Sequence, residues 1–161
     1  MLQLRRFCSS RPAASGIFVD AENLTQFLKA NGAQKLVESA AEFGSPLVRH
    51  AYGNWNVPAM QGIQQGLLAN GFQMIHTPYP VAKKSAADIA MVVDVMATQQ
   101  RMPELTCFVL ATGDSDFSHL FCHLRQSGKR VVGYGPRSPL SEMVKNTADR
   151  FLYTAQADQV V

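Results

Sequence analysis

The fold is decided by a stretch in which an apolar run ends in an acidic turn and a helical pattern follows. This stretch is VLATGDSDFSHLFCHLRQ at residues 109–126. Residues 17–24, IFVDAENL, likewise begin with an apolar run that ends in an acidic turn. An aliphatic run that ends at a polar turn before a segment of helical periodicity is typical of a strand–helix unit in a parallel sheet. The acidic turn after each run is therefore predicted to lie at the carboxyl end of a strand.

The same alternation continues along the chain from Gly16. It predicts strands at 17–19, 47–52, 72–76, 107–111, 130–134 and 151–153, and helices at 24–30, 33–42, 58–70, 86–99, 117–126 and 140–147. Gly32, Gly71 and Gly128 are predicted to end three of these helices. The alternation indicates an α/β fold, a doubly wound, mostly parallel sheet with helices on both faces.

Length and composition are those of one globular domain. The chain has 161 residues, of which 47% are hydrophobic and 17% charged, enough for one core and too short for two domains. It contains no run of about 18 apolar residues, so no membrane span is predicted. Cys8, Cys107 and Cys122 show no paired spacing, which favours reduced thiols and a cytoplasmic protein.

We divide the chain into a basic N-terminal arm (1–15), a folded domain (16–154) and a C-terminal tail (155–161). The arm contains Arg5 and Arg6 and lacks acidic residues, as mitochondrial transit peptides do. A frayed basic arm, or the beginning of a piece of a longer protein, is the simpler interpretation.

Four aspartates fall where predicted strands meet helices at one edge of the sheet. Asp20 ends the first strand, Asp114 and Asp116 follow the fourth, and Asp88 opens the helix before it. Open α/β sheets bind ligands at this edge, and a divalent cation relieves the repulsion between gathered carboxylates. Oxygen ligands without Cys or His at ligand spacing predict Mg²⁺ or Mn²⁺, ions that assist phosphodiester hydrolysis. Taken singly, Asp20 and Asp116 are also explained as helix caps, and Asp88 by the helix dipole.

Other polar residues are expected to support these acids. Asn23 can orient the first aspartate, a water or a phosphate, or can cap a helix. Thr112 and Ser115 flank the acidic pair as hydrogen-bond donors. Asp94 lies six residues after Asp88, about 120° around the helix, so we expect it beside the metal ligands or facing water.

Basic and aromatic residues near the same loops predict a nucleic-acid partner, because phosphates supply most of the affinity and unpaired bases stack on aromatic rings. The candidates are Arg49, Lys83, Lys84, Tyr52 and Trp55, with Tyr79, Arg137 and Lys145 nearby. They favour single strands over a duplex. The lysines are also explained as solvated loop residues and Trp55 as a packing residue. His119 and His123 are interpreted as ordinary helix-surface residues.

Five segments, in order, resemble the NYN domain family, the LabA-like branch of the PIN-like nucleases. They are IFVDAENL, HAYGNW, KKSAADIAMVVDVM, the stretch beginning VLATGDSDF, and ADRFLY, and together they extend over residues 16–153. The resemblance implies a Rossmann-like PIN fold and metal-dependent ribonuclease activity, with Asp20, Asn23, Asp88, Asp114 and Asp116 at active-site positions. Longer bacterial relatives often carry an OST-HTH (LOTUS) RNA-binding domain, which is absent from this sequence.

We therefore expect a divalent-metal-dependent ribonuclease acting mainly on single-stranded RNA, with internal and terminal cleavage both open. A homodimer is compatible with the sequence. The alternative is a PIN-like domain that binds RNA or a partner protein with little turnover. Dehalogenase-type phosphatases and Toprim nucleases fit less well, since the former carry the DxD pair after the first strand and the latter combine it with an earlier glutamate.

Overall fold

Six strands alternate with helices along the chain in the computed structural model, which describes residues 13–78 and 86–154. The elements are β1 (Ala14–Asp20), α1 (Thr25–Lys29), α2 (Gly32–Ala41), β2 (Ser45–Gly53), α3 (Pro58–Ala69), β3 (Gln73–His76), α4 (Ala86–Arg101), β4 (Leu105–Ala111), a 3₁₀ turn (Ser115–Phe117), α5 (Ser118–Gln126), β5 (Arg130–Gly135), α6 (Pro139–Lys145) and β6 (Arg150–Tyr153). Every predicted strand and helix is present among them.

The strands form one sheet in the order β3-β2-β1-β4-β5-β6, and each neighbouring pair is parallel. The predicted α/β fold is confirmed, with a sheet that is parallel throughout rather than mostly so. The chain builds one half of the sheet outward from β1 and the other half outward from β4. The carboxyl ends of β1 and β4 therefore enclose the crevice in which sheets of this kind bind ligands.

Side chains of the central strands are buried on both faces of the sheet. All seven residues of β1 are buried, as expected for a central strand with helices on both sides. Ile17 and Val19 belong to the core beneath α1, α2 and α3, whereas Phe18 packs with residues of α4, α5 and α6. The alternation along β1 thus supplies both cores.

Helix ends follow the predicted glycines with one correction. Gly71 and Gly128 have the left-handed backbone, with φ of 73° and 76°. Gly32 does not: Asn31 adopts φ of 61°, and Gly32 is the first residue of α2. Asparagine tolerates this conformation, while a Cβ on Gly32 would lie 2.5 Å from the Phe27 carbonyl oxygen. The glycine is therefore needed for close packing rather than for the turn.

The first strand begins earlier in the chain than the predicted start of the folded domain. β1 begins at Ala14, two residues before the boundary placed at Gly16, because Ala14 pairs with both β2 and β4. Within the described ranges, no helix is long and apolar enough to cross a bilayer. Most of the basic arm and the C-terminal tail lie outside the described residues.

Candidate functional site

The acidic cluster, by which we mean Asp20, Asp88, Asp114 and Asp116, lies at the carboxyl edge of the sheet. Asp20 is the last residue of β1, and the Asp114–Asp116 pair follows β4. Asp88 lies in the first turn of α4, the helix that leads back to the amino end of β4. The register pairs Asp20 with Tyr52, so both side chains share the face of the sheet that α4 covers. The topology thus brings the start of α4 to the crevice between β1 and β4.

Asp20 is the buried centre of the cluster. Its side chain is 2% exposed, and Nδ2 of Asn23 donates a hydrogen bond of 2.5 Å to its Oδ2. Burial and the charge of Asp88 raise the pKa of Asp20 to about 7, although hydrogen bonds from Asn23 act in the opposite direction. Asp20 therefore exchanges its proton near neutral pH, where a bound cation would favour the charged form.

Asp88 is coupled to the same group of charges. Burial raises the pKa of Asp88, and the charges of Asp114, Asp116 and Glu22 raise it further. Asp88 and Asp116 also line one hollow of about 280 Å³ together with apolar residues of α4. Asp88 is thus electrostatically coupled to each of the other three aspartates.

Asp114 has a structural role in addition to its place in the cluster. Its Oδ1 accepts the backbone N–H of Asp116 at 3.0 Å and so caps the 3₁₀ turn. Its own backbone N–H donates to Oγ1 of buried Thr112 at 3.2 Å. Capping therefore belongs to Asp114, and the alternative that Asp116 is the cap is wrong. Thr112 supports the acidic turn as a hydrogen-bond acceptor rather than as the expected donor, while Ser115 lies half-buried within the turn.

Glu22 is a fifth acid at this edge that the sequence analysis overlooked. Its charge raises the pKa of both Asp20 and Asp88. Its Oε1 accepts the backbone N–H of Asn54 at 2.8 Å, which ties the loop after β1 to the loop after β2. The available signal was its position two residues after Asp20, in the same turn.

Asp94 faces β2, where it is held by hydrogen bonds. Its Oδ2 accepts the hydroxyl of Tyr52 and lies 2.7 Å from Nδ1 of His50, and its Oδ1 lies 3.6 Å from Nη2 of Arg101. Asp94 therefore neither lies beside the candidate metal ligands nor faces water, and both expectations for it are wrong. Tyr52 is fully buried, and burial with the contact to Asp94 raises its pKa far above its usual range. Tyr52 therefore cannot stack on bases, contrary to expectation.

Arg49 lies away from the acidic cluster. Its guanidinium donates to the carbonyl oxygens of Pro46 at 3.2 Å and Asn70 at 2.8 Å, near the amino ends of β2 and β3. The expectation that Arg49 binds nucleic acid beside the acids is therefore wrong, because its guanidinium lies at the other edge of the sheet. A residue in the middle of a strand reaches either edge of the sheet if its side chain is long enough, and sequence does not distinguish the two.

Of the remaining nucleic-acid candidates, Trp55 is packed and three residues lie outside the described ranges, whereas Arg137 follows β5 and Lys145 ends α6. Trp55 follows β2 at the carboxyl edge, and its Nε1 donates to the carbonyl oxygen of Ile75 at 3.0 Å. Its ring is partly buried against the core, as its packing interpretation required. Lys83, Lys84 and Tyr79 lie outside the described residues. His119 and His123 are exposed on α5.

The donor set suits a hard divalent cation, although the described side chains do not form a closed coordination sphere. The acids supply carboxylate oxygens alone, the ligands that Mg²⁺ and Mn²⁺ prefer. Within residues 13–78 and 86–154, no three Asp, Glu, His or Cys side chains are close enough together to hold one ion. The acidic cluster therefore suits a divalent cation by the chemistry of its oxygens and by its negative charge. The candidate ligands are Asp20, Asp88, Asp114 and Asp116.

The raised pKa of Asp20 predicts how stability depends on pH in the absence of divalent ions. A carboxyl group whose pKa rises from 3.8 to about 7 on folding stabilises the protein below pH 3.8. That contribution is lost as the pH rises towards 7. We expect Asp20→Asn to gain stability relative to wild type progressively between pH 4 and 7, and to keep a constant advantage above that range.

Urea unfolding of both proteins at half-unit pH intervals, with chelator present, measures this difference. The control is Glu38→Gln, because Glu38 is exposed on α2. The free energy of unfolding of this variant should follow that of wild type at every pH. Parallel curves for Asp20→Asn and wild type would contradict the buried, repelled carboxyl group described above.

Comparisons with known proteins agree with this architecture. A crystal structure of a Vibrio parahaemolyticus protein of unknown function has a TM-score of 0.75 at 22% identity, covering 92% of this chain and 96% of that one, and it shows the fold alone. A myo-inositol dehydrogenase from Corynebacterium glutamicum covers 88% of this chain and 35% of its own at 13% identity. Its TM-score of 0.40 does not establish a shared fold. No curated protein matches this chain. The NYN domain profile matches residues 14–155, nearly the whole described domain, and the chain therefore belongs to the NYN domain family, with a PIN-like, nuclease-type fold.

Proposed function

We propose that this NYN domain is a divalent-metal-dependent ribonuclease that hydrolyses phosphodiester bonds of single-stranded RNA. Membership of the family supports a nuclease-type domain. The observation that carries the finer proposal is the burial of Asp20 within electrostatic reach of Asp88, at the crevice between β1 and β4. Strongly perturbed carboxyl groups in a ligand-binding crevice are characteristic of functional sites.

Each residue of the proposed site has a separate task. Asp20, Asp88, Asp114 and Asp116 are the proposed ligands of the ion. Asn23 holds one oxygen of Asp20 in place, and Thr112 holds the backbone of Asp114. A bound Mg²⁺ or Mn²⁺ would supply charge for the phosphoryl oxygens and would lower the pKa of a water molecule. The protein contributes the positions of these oxygens and the charge that attracts the ion.

The stability cost of the cluster argues against a purely structural role. Carboxylates that raise one another's pKa destabilise the folded chain at neutral pH when no cation is bound. Capping explains one oxygen of Asp114, but it does not explain why Asp20 is buried close to the charge of Asp88. A cation bound to the folded state would offset this repulsion and stabilise the protein.

A cleavage assay with the purified chain tests the proposal. The substrates are a fluorescently labelled single-stranded RNA, its duplex, and single-stranded DNA of the same sequence, each incubated with Mn²⁺, Mg²⁺ or chelator. We expect cleavage of the single-stranded RNA with Mn²⁺ or Mg²⁺ and none with chelator. RNA binding without cleavage in every metal would support the alternative, a module that binds RNA with little turnover. Cleavage that ignores chelator would indicate a contaminating nuclease.

A further inference from the structure

A group of basic and aromatic side chains lies at the same carboxyl edge of the sheet as the acidic cluster, at the ends of β5 and β6. We call Arg137, Glu142, Lys145 and Tyr153 the basic–aromatic patch. The guanidinium carbon of Arg137 is 4.1 Å from the centroid of the Tyr153 ring, and Nζ of Lys145 is 5.8 Å from it. Glu142 accepts the Tyr153 hydroxyl and lies 3.5 Å from Nζ of Lys145. Two cations are thus held on one ring, with a single carboxylate beside them.

The patch adjoins, along the chain, a groove that Asp114 lines. A groove of about 220 Å³ is lined by Asn23, Gly113, Asp114, Pro136, Ser138 and Leu140. Arg137 lies between two of these residues in the chain, and Tyr153 pairs with Gly135 in the sheet. A strand that presents a phosphodiester to Asp114 and follows this groove passes Pro136 and Ser138, the chain neighbours of Arg137.

Among the residues that the structure describes, no acceptor is hydrogen-bonded to the guanidinium of Arg137, in contrast to most described arginines. Arg49 donates to backbone carbonyls, while Arg101, Arg125 and Arg150 face carboxylates within 4 Å. Within the described ranges, Arg137 has no carboxylate within ion-pair distance, and an aromatic ring supports its guanidinium. A guanidinium fixed in this way can present its N–H groups to a phosphate in the bidentate manner that arginine favours.

We propose that the basic–aromatic patch binds the phosphate backbone of single-stranded RNA next to the bond that is cleaved. The proposal rests on the proposed function, because it assigns a second contact to the same substrate. Arg137 and Lys145 neutralise phosphates, Tyr153 positions Arg137, and Glu142 opposes binding by its charge. The patch supplies positive charge that the acidic cluster lacks.

Binding of labelled single-stranded RNA, measured by fluorescence anisotropy in chelator so that no cleavage occurs, tests the patch. Arg137→Glu is expected to weaken binding about tenfold and to reduce the slope of log affinity against log salt by about 0.7 for the lost phosphate contact. The matched control is Arg130→Glu. Arg130 also lies over an aromatic ring, 5.6 Å from the centroid of Phe43, but at the amino end of β5. The affinity of Arg130→Glu for RNA and its salt slope should remain close to those of wild type.

A second variant makes a prediction of opposite sign. Glu142→Gln removes the opposing charge, and its amide oxygen can still accept the Tyr153 hydroxyl, so RNA binding should become about two- to threefold tighter. Equal weakening by Arg137→Glu and Arg130→Glu would overturn the proposal, as would failure of the wild-type chain to bind RNA. If Arg137→Glu alone weakens binding while the wild type cleaves nothing in any metal, the RNA-binding role of the patch stands, and the ribonuclease proposal fails together with the position next to a cleaved bond. If the wild type cleaves RNA and Arg137→Glu binds RNA as tightly as wild type, the ribonuclease proposal stands and the proposed role of the patch is overturned.

Discussion

Asp114→Asn is expected to lower metal-dependent RNA cleavage more than about 100-fold while the fold and the melting temperature stay close to wild type. The loss should exceed the 10- to 100-fold that follows removal of residues that merely support metal ligands, because Asp114 is itself a proposed ligand. The fold should survive because the cap needs one oxygen, and asparagine keeps Oδ1 to accept the backbone N–H of Asp116. The substitution therefore separates the charge of Asp114 from its structural role.

Asp149→Asn is the matched control for this experiment. Asp149 also accepts a backbone N–H, that of Val131 at 2.8 Å, and its other oxygen lies 3.2 Å from Nε of Arg125, near the amino end of the sheet. Cleavage rates with Mn²⁺ and thermal melts of both variants give the comparison. Full activity of Asp114→Asn, or equal losses in the two variants, would exclude Asp114 as a ligand.

Asp94→Ala is expected to destabilise the protein by about 2 kcal/mol and to lower its melting temperature by about 4–8 °C. The hydroxyl of Tyr52 donates to Asp94, and Tyr52 is fully buried. Removal of the carboxylate leaves the buried hydroxyl only the longer contact to Nδ1 of His50 at 3.4 Å, and this costs more than the net value of the hydrogen bond itself.

Addition of Tyr52→Phe to Asp94→Ala provides the decisive test. The double variant no longer contains a buried hydroxyl that has lost its carboxylate acceptor, so it is expected to be more stable than Asp94→Ala alone. Urea unfolding of the two single variants and the double variant gives the coupling energy. Additive losses would show that Tyr52 and Asp94 act independently and that the hydrogen bond contributes little to stability.

The fold was predictable because it depends on local patterns. Strand β1 is a short apolar run, IFV, followed by a polar turn, and its central position in a parallel sheet follows from burial of both faces. The boundaries moved by up to three residues, since pairing with neighbouring strands extends β1 to Ala14 and hydrogen bonding extends α4 to Arg101. The left-handed residue before α2 was misassigned to Gly32, because asparagine and glycine both adopt that conformation.

The positions of the acids at one edge were also predictable, because the carboxyl ends of parallel strands lie together. The partners of individual side chains were not. Asp94 and Tyr52 lie 42 residues apart in sequence, and their hydrogen bond depends on how α4 packs across β2. Glu22 and Asn54 meet because two loops adjoin.

The order of apolar runs, turns and helical segments in the sequence alone determined a parallel α/β sheet with aspartates at its carboxyl edge, since backbone geometry and burial act through short-range periodicity. Only the tertiary structure decided which aspartate is buried and which is bound by Tyr52, and that Arg49 lies near the opposite edge. Those outcomes depend on the lateral packing of α4 against β1 and β2 and on the electric field of neighbouring charges. Both are properties of residues distant in the chain.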